Sequence, residues 1–306
     1  MAALTPEKFK VIGYTEEDAN RIDRPTISYW QDAWRRLRKN PIAMGSLVVL
    51  GILLVMVIIG PHIKGYDYVS MNIAEKNQGV SSKYWFGTDN LGRDLFSRVW
   101  VGARASLIIA IVATAIKLII GTVYGALMAH FGGWVDAIIS RFIDILLAFP
   151  GLLLAITIVA VLGPGSVNTV IAITIFTIPG LPRMVRSVVL SLKSSEYVEA
   201  CKTMGESNLR IIFTHVIPNS MSQIIVNVTL SLGTAILTAS SLSFLGLGVT
   251  PPEAEWGAML SQMREVIRTY PTGVLVPGIA ITLVVMSFSL VGDGLRDALD
   301  PKLKNN

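Results

Sequence analysis

Few residues in this 306-residue chain have the types and spacing that chemistry demands. The densest set is Asp89, Arg93, Asp94 and Arg98, interleaved with Gly87, Thr88 and Gly92. Two carboxylates this close can serve as an acid and base pair, but the neighbouring arginines keep both ionised. No histidine, cysteine or metal cluster supports catalysis, so the set reads as charge pairs and tight turns that fix the entry to a following helix. His62, His130 and His215 fall on different loops without metal-ligand spacing, and no metal site is expected. The one cysteine, Cys201, has no internal disulfide partner. A GxxxxGK[ST] phosphate loop is missing from the sequence, so nucleotide is not expected to bind this chain.

Two ionisable residues sit inside apolar runs, where such residues are functional candidates by default. Lys117 lies near the middle of its run and either lines a hydrophilic pathway or meets polar groups of a neighbouring helix. Asp144 lies much nearer one end, one turn from Arg141, and reads as half of an interfacial pair of about 0 to 1 kcal/mol. Pro150 and Gly151, like Pro179 and Gly180, permit kinks that serve either a moving pathway or simple packing.

The elements that carry these residues are membrane spans. Hydrophobic residues make up 52% of the chain and charged ones 15%, with mean hydropathy +0.58, against about 25% charged in soluble proteins. Six runs reach the roughly 20 residues needed to cross a bilayer: Ile42 to Ile59, Leu107 to Met128, Phe142 to Leu162, Val167 to Leu181, Gln223 to Leu242 and Val274 to Val291. The fourth is short and broken at Pro179, with its end expected to continue as a kinked helix through Arg183. About forty polar residues precede the first run, so no cleavable leader is expected. A six-span layout with the N-terminus inside puts 17 basic residues inside and 8 outside, so both termini are expected in the cytoplasm. The net charge of +5 follows from this topology rather than from nucleic-acid binding. Ile27, Trp30, Trp34 and Leu37 share a helical face among arginines, which predicts an interfacial helix on membrane lipid. The chain thus divides into a loosely ordered polar tail over 1–26, that helix over 27–40, a first span over 41–60, an external loop over 61–104, a core over 105–292 with a cytoplasmic loop at 183–222, and a tail over 293–306.

Within that loop, Tyr197 to Asn219 reads as two short amphipathic helices joined by Gly205. Tyr197, Ala200, Cys201 and Met204 recur at i, i+3, i+4 and i+7, and Leu209, Ile212, Phe213, Val216 and Ile217 repeat the pattern. Gly205 suits a left-handed helix stop, Ser207 or Asn208 a cap, and Pro218 an end to the second helix. Two such stripes in a loop between spans favour seating in a groove on a partner, with a lipid surface as the alternative.

The loop resembles the cytoplasmic signature of permease subunits of ATP-binding-cassette importers. Glu199-Ala200-Cys201, Gly205 and Val216-Ile217-Pro218 occupy its places, with Cys201 where the signature has alanine and His215 where it has isoleucine. Phe86 to Arg98, Leu242 to Gly248, Pro251-Pro252, Trp256-Gly257 and Gly292 to Pro301 are similar to the C-type permeases of the oligopeptide, dipeptide and nickel group. The resemblance covers roughly residues 27 to 302. It implies an all-α, polytopic, six-span type I importer permease of the bacterial inner membrane, without catalytic residues of its own. Its implied partners are a homologous B-type permease as heterodimer, two cytoplasmic ATPases carrying ATP and Mg, and an extracytoplasmic binding protein. Short peptides are the implied substrate, with nickel or another small solute as the alternative, and a secondary transporter as a more distant one. Tyr197, Glu199, Ala200, Cys201, Met204, Gly205, Leu209, Ile212 and Pro218 would form the ATPase-coupling segment. Lys117, Pro150 and Gly151 are pathway candidates, and the Gly87 to Arg98 set an external structural motif that can also touch the binding protein.

Overall fold

The computed structural model describes residues 28–65, 67–193 and 195–300. The polar tail and Ile27 lie outside the described residues. Helix α1 (Tyr29–Leu37) turns Ala33 and Leu37 inward and leaves Trp30 and Trp34 exposed. Leu37 packs with Ala43 and Ala298, and the Tyr29 hydroxyl donates to Leu299 O at 3.1 Å. The helix therefore lies across the ends of two others with its tryptophans outward.

Asn40 caps α2 (Pro41–Ile63), its side chain accepting from Ile42 N and Ala43 N at 3.1 Å each. Ala43, Ser46, Leu50, Leu53, Val57 and Gly60 form its buried seam. That alternation of three and four is the spacing of left-handed helix packing. Val48, Ile52, Val55 and Ile58 on the other side are exposed, as suits a lipid-facing surface.

Helix α3 (Leu95–Phe131) runs for 37 residues, about 55 Å, and begins twelve residues before the expected second span. The reason is Asp94, whose carboxylate caps it at Ser97 N and so extends the helix out of the apolar run. A Cβ at Gly121 or Gly125 would fall within 3.0 Å of Leu181 or Val185, so these two positions let α3 approach α7 closely.

The third apolar run is not one straight span. Helices α4 (Gly133–Ala148) and α5 (Gly151–Leu162) meet at 90°. Phe149 is held extended, with ψ 137°, ahead of Pro150, which has no N–H to continue the ladder. The Phe176 ring fills the space against Gly151, leaving no room for a Cβ there. Helices α6 (Ser166–Thr177) and α7 (Gly180–Lys193) bend by 41° at Pro179, as expected.

Helix α8 (Glu196–Thr203) is followed by the single turn α9 (Asn208–Arg210), a π turn (Ile211–Val216) and α10 (Ile217–Phe244). Helix α11 (Trp256–Met263) lies between α10 and α12 (Thr272–Leu299). Among the described residues four helices are long and apolar enough to span a membrane, and the two bent pairs bring the number to six if each is one span. One core runs through α2, α3, α5, α6, α10, α11 and α12, and a second lies where α3, α7 and the 198–224 stretch meet.

Candidate functional site: an exposed elbow at the 196–217 segment

Gly205 has φ +82°, the left-handed stop its position predicts, and Glu206 N returns to Cys201 O at 3.1 Å. Ser207 then caps the next turn by accepting from Arg210 N at 3.4 Å. Pro218 does not end this second helix, contrary to expectation. It occupies the second position of α10, but α10 continues the helical run that starts at Asn208, so the proline sits inside a continuous helix and removes one donor from it. The π turn before it widens the backbone where the ring would crowd the carbonyl of Thr214.

The two apolar stripes divide between two faces. Val198, Cys201, Ile211, Ile212 and Val216 are buried, most of them in the core formed by Ala129, Leu181, Val185, Val189 and Ile224. Tyr197, Ala200, Met204, Leu209 and Phe213 are exposed, Met204 at 77%. Glu199, Gly205 and Pro218 are exposed as well. Two of the expected partner-facing residues, Cys201 and Ile212, therefore serve as the root that fixes the elbow to the bundle. A helix must bury one stripe against its own chain to hold its place, and these two fall on that stripe.

Burial, and then the nearby Glu206 carboxylate, push the Cys201 thiol above its ordinary pKa. Glu206 forms an ion pair with Arg210, Oε1 to Nε 3.1 Å, and lies 3.0 Å from His215 Nε2. His215, which sequence spacing kept apart from any ligand set, is thus brought against Glu206 and Cys201.

The other candidates lie elsewhere. Lys117 is buried in α3 and donates to Ser231 Oγ on α10 at 2.6 Å. Asp144 pairs chiefly with Arg183 of α7, whereas Arg141 stands off at 3.9 Å. Asp136 takes a forked contact from Arg186, at 2.7 and 2.5 Å. Both ties run from α4 to α7, a connection that helical spacing along one helix could not disclose. Pro150 and Gly151 mark the right-angled break described above.

The Gly87 to Arg98 motif folds into a buried knot where the chain enters α3. Asp89 Oδ2 binds Arg93 Nε at 2.6 Å and lies 3.5 Å from Arg98 Nε, while Oδ1 accepts from the amides of Leu91 and Arg93. Arg93 reaches Gln262 Oε1 at 2.8 Å, and Arg98 reaches Tyr68 O at 2.9 Å. Thr88 donates to Glu75 O and accepts from Gln78 N. Gly92, at φ +75°, sits so close to Asn72 O that a Cβ would be 1.8 Å from it. Each carboxylate and guanidinium of the motif has at least one partner in the loop or at the start of α3, while Asp94 Oδ1 and Arg98 Nε and Nη2 are buried without a hydrogen bond.

Sequence reasoning passed over Glu255, although the Trp256-Gly257 pair beside it was singled out. Glu255 is fully buried at the start of α11. Its Oε2 accepts from Ala258 N at 2.9 Å, and Oε1 accepts from Ser106 Oγ on α3 at 2.8 Å and Ser240 Oγ on α10 at 3.4 Å. The carboxylate thus locks three helices together. A Glu before an apolar helical run was the available signal, as a cap.

Comparison with known proteins places this architecture. Residues 121–305 match the binding-protein-dependent transport system inner membrane component family, and residues 28–79 match the N-terminal TM domain of oligopeptide transport permease C. The dipeptide transport system permease protein DppC of Alkalihalophilus pseudofirmus is 47% identical over 91% of this chain and 92% of its own length. OppC, the oligopeptide transport system permease protein of Bacillus subtilis, is 42% identical over 99% and 100%. GsiD, the glutathione transport system permease protein of Pectobacterium atrosepticum, is 42% identical over 92% and 94%. Among solved structures, an inward-facing form of the MetNI methionine ABC transporter shares the fold, with TM-score 0.52 and 17% identity over 66% of this chain and 97% of that one. The chain is therefore a member of the binding-protein-dependent inner-membrane permease family, the membrane-embedded subunits of ABC importers.

Proposed function

We propose that this chain is the C-type permease of a short-peptide importer, pairs with a homologous B-type permease, and receives force from one of two cytoplasmic ATPases through the outer face of the 196–213 elbow. Both termini and the elbow face the cytoplasm, and an extracytoplasmic binding protein delivers substrate at the opposite end. ATP and Mg stay on the ATPases, and their closure draws the elbows together and turns the spans outward. The relatives named for dipeptides, oligopeptides and glutathione favour peptides over nickel or another small solute.

The observation that carries this reading is the division of the elbow into a rooted face and an exposed one. Tyr197, Met204, Leu209 and Phe213 remain exposed although Cys201, Ile211 and Val216 beside them are packed. An apolar face left outside a rooted helix is the form of helix-in-groove recognition. The reading is tested by cysteine crosslinking in the assembled complex, with Cys201→Ala as background. Met204→Cys and Leu209→Cys should each crosslink to a co-expressed ATPase, while native Cys201, turned inward, should not. Failure of both engineered positions would overturn the docking face.

A further inference from the structure

The elbow contains a side-chain cluster that docking does not use. Sγ of Cys201 on α8, a carboxylate oxygen of Glu206 just past the Gly205 stop, and an imidazole nitrogen of His215 in the π turn all lie within 4.8 Å of one another. These three residues come from three stretches on both sides of the elbow. Cys201 and His215 are fourteen residues apart in sequence, and in space they converge on one carboxylate.

We propose that Cys201, Glu206 and His215 form a binding site for a borderline-soft divalent cation of the Zn²⁺ class. Thiolate, imidazole and carboxylate together are the donors that suit such an ion, whereas Mg²⁺ and Ca²⁺ favour all-oxygen shells. Bond lengths of about 2.0 to 2.3 Å around a tetrahedral ion put donor atoms roughly 3.3 to 3.8 Å apart. His215 and Glu206, at 3.0 Å, already lie inside that spacing, and no pair of donors stands more than 4.8 Å apart, so the sulfur has at most about an ångström to travel. Three protein donors leave a fourth position for water. Access runs past His215, whose side chain is 35% exposed, and Glu206, at 18%, while Cys201 forms the buried back of the site. Arg210 now pairs with Glu206, but its side chain is 73% exposed and free to swing into solvent as the metal takes that oxygen. Binding displaces the thiol proton to water and forms a metal–sulfur bond, with no change of oxidation state. The bound ion would join α8 to the root of α10 across Gly205, making one rigid piece of the two arms. The site stands on this cluster alone, whatever the elbow docks against.

The test uses the full chain in its complex, purified without an affinity tag, stripped with chelator and titrated with Co²⁺ as a spectroscopic substitute for Zn²⁺. Cys201 is the single cysteine of this chain, so a thiolate-to-cobalt charge-transfer band is assigned to it by its loss in Cys201→Ala within the same complex. We expect one saturable site with that band and tetrahedral visible absorption, displaced by Zn²⁺. It should vanish in Cys201→Ala and weaken by about tenfold or more in His215→Ile and Glu206→Gln. In the unmutated complex, Zn²⁺ should also protect Cys201 from alkylation, a reading that does not depend on any variant folding. Absence of the charge-transfer band, or a band indifferent to both His215→Ile and Glu206→Gln, would overturn the site.

Discussion

Buried carboxylates are tolerated only when their oxygens are met by donors, and at Glu255 an amide and two hydroxyls meet them. Glu255→Ala leaves the Ala258 amide and the Ser106 hydroxyl without this partner, a loss of about 1 to 3 kcal/mol for each buried group left unsatisfied. Glu255→Gln keeps one acceptor and should lose clearly less, because the serine hydroxyl can turn to accept. Thermal unfolding of the detergent-solubilised chain compares the two, and equal losses would contradict the account. The loop ahead of α3 carries a second prediction. Hydrogen bonds from Lys83 and then Tyr84 hold the Glu75 carboxyl below its ordinary pKa. A depressed carboxyl contributes stability that is present above its unfolded pKa and lost as pH falls through the folded one. Amide exchange across 73–84 should therefore stay slow near neutrality and quicken only below the ordinary carboxylate range. Exchange that quickened on mild acidification instead would oppose this. Charge pairing among Asp89, Arg93, Asp94 and Arg98 was legible because these residues lie within ten positions of one another. Glu255 was not, because Ser106 lies 149 positions away.

At the scale of elements, the elbow depends on one backbone conformation. Nothing lies within 4 Å of a Cβ built on Gly205, so its φ of +82° alone resists substitution. A β-branched residue there costs roughly 1 to 2 kcal/mol locally, whereas Asn visits the same region more readily. Gly205→Val should therefore uncouple ATP hydrolysis from uptake while leaving membrane insertion intact, and Gly205→Asn should retain most coupling. Full substrate-stimulated uptake by Gly205→Val would refute this. The glycine stop, the Ser207 cap and the kink at Pro179 were readable because each rests on a local rule. Pro218 shows the limit of such rules. A proline ends a helix only where its neighbours cannot widen, and the π turn over 211–216 widens. Pro150 likewise announced a break, but the 90° angle depends on what α4 and α5 pack against, including the Phe176 ring at Gly151.

For the whole molecule, the distribution of basic residues makes a prediction about sidedness. With Cys201→Ala as background, Val80→Cys, at an exposed position in the loop between α2 and α3, should react with an impermeant maleimide from outside right-side-out vesicles. Met204→Cys should react only after disruption. Reaction of Met204→Cys from outside would reverse the topology and with it the docking proposal. The amino-acid sequence by itself determined the all-helical class, the six apolar runs and the glycine-centred elbow. Each follows from hydropathy, helical period or backbone freedom, which act over a few residues. The tertiary structure alone decided which elbow stripe is root and which is exposed, that α4 is tied to α7 through Asp136 and Asp144, and that Cys201, Glu206 and His215 share one place. Those outcomes depend on groups distant in the chain meeting across packed helices, and a one-dimensional period carries no record of which neighbour a face will meet.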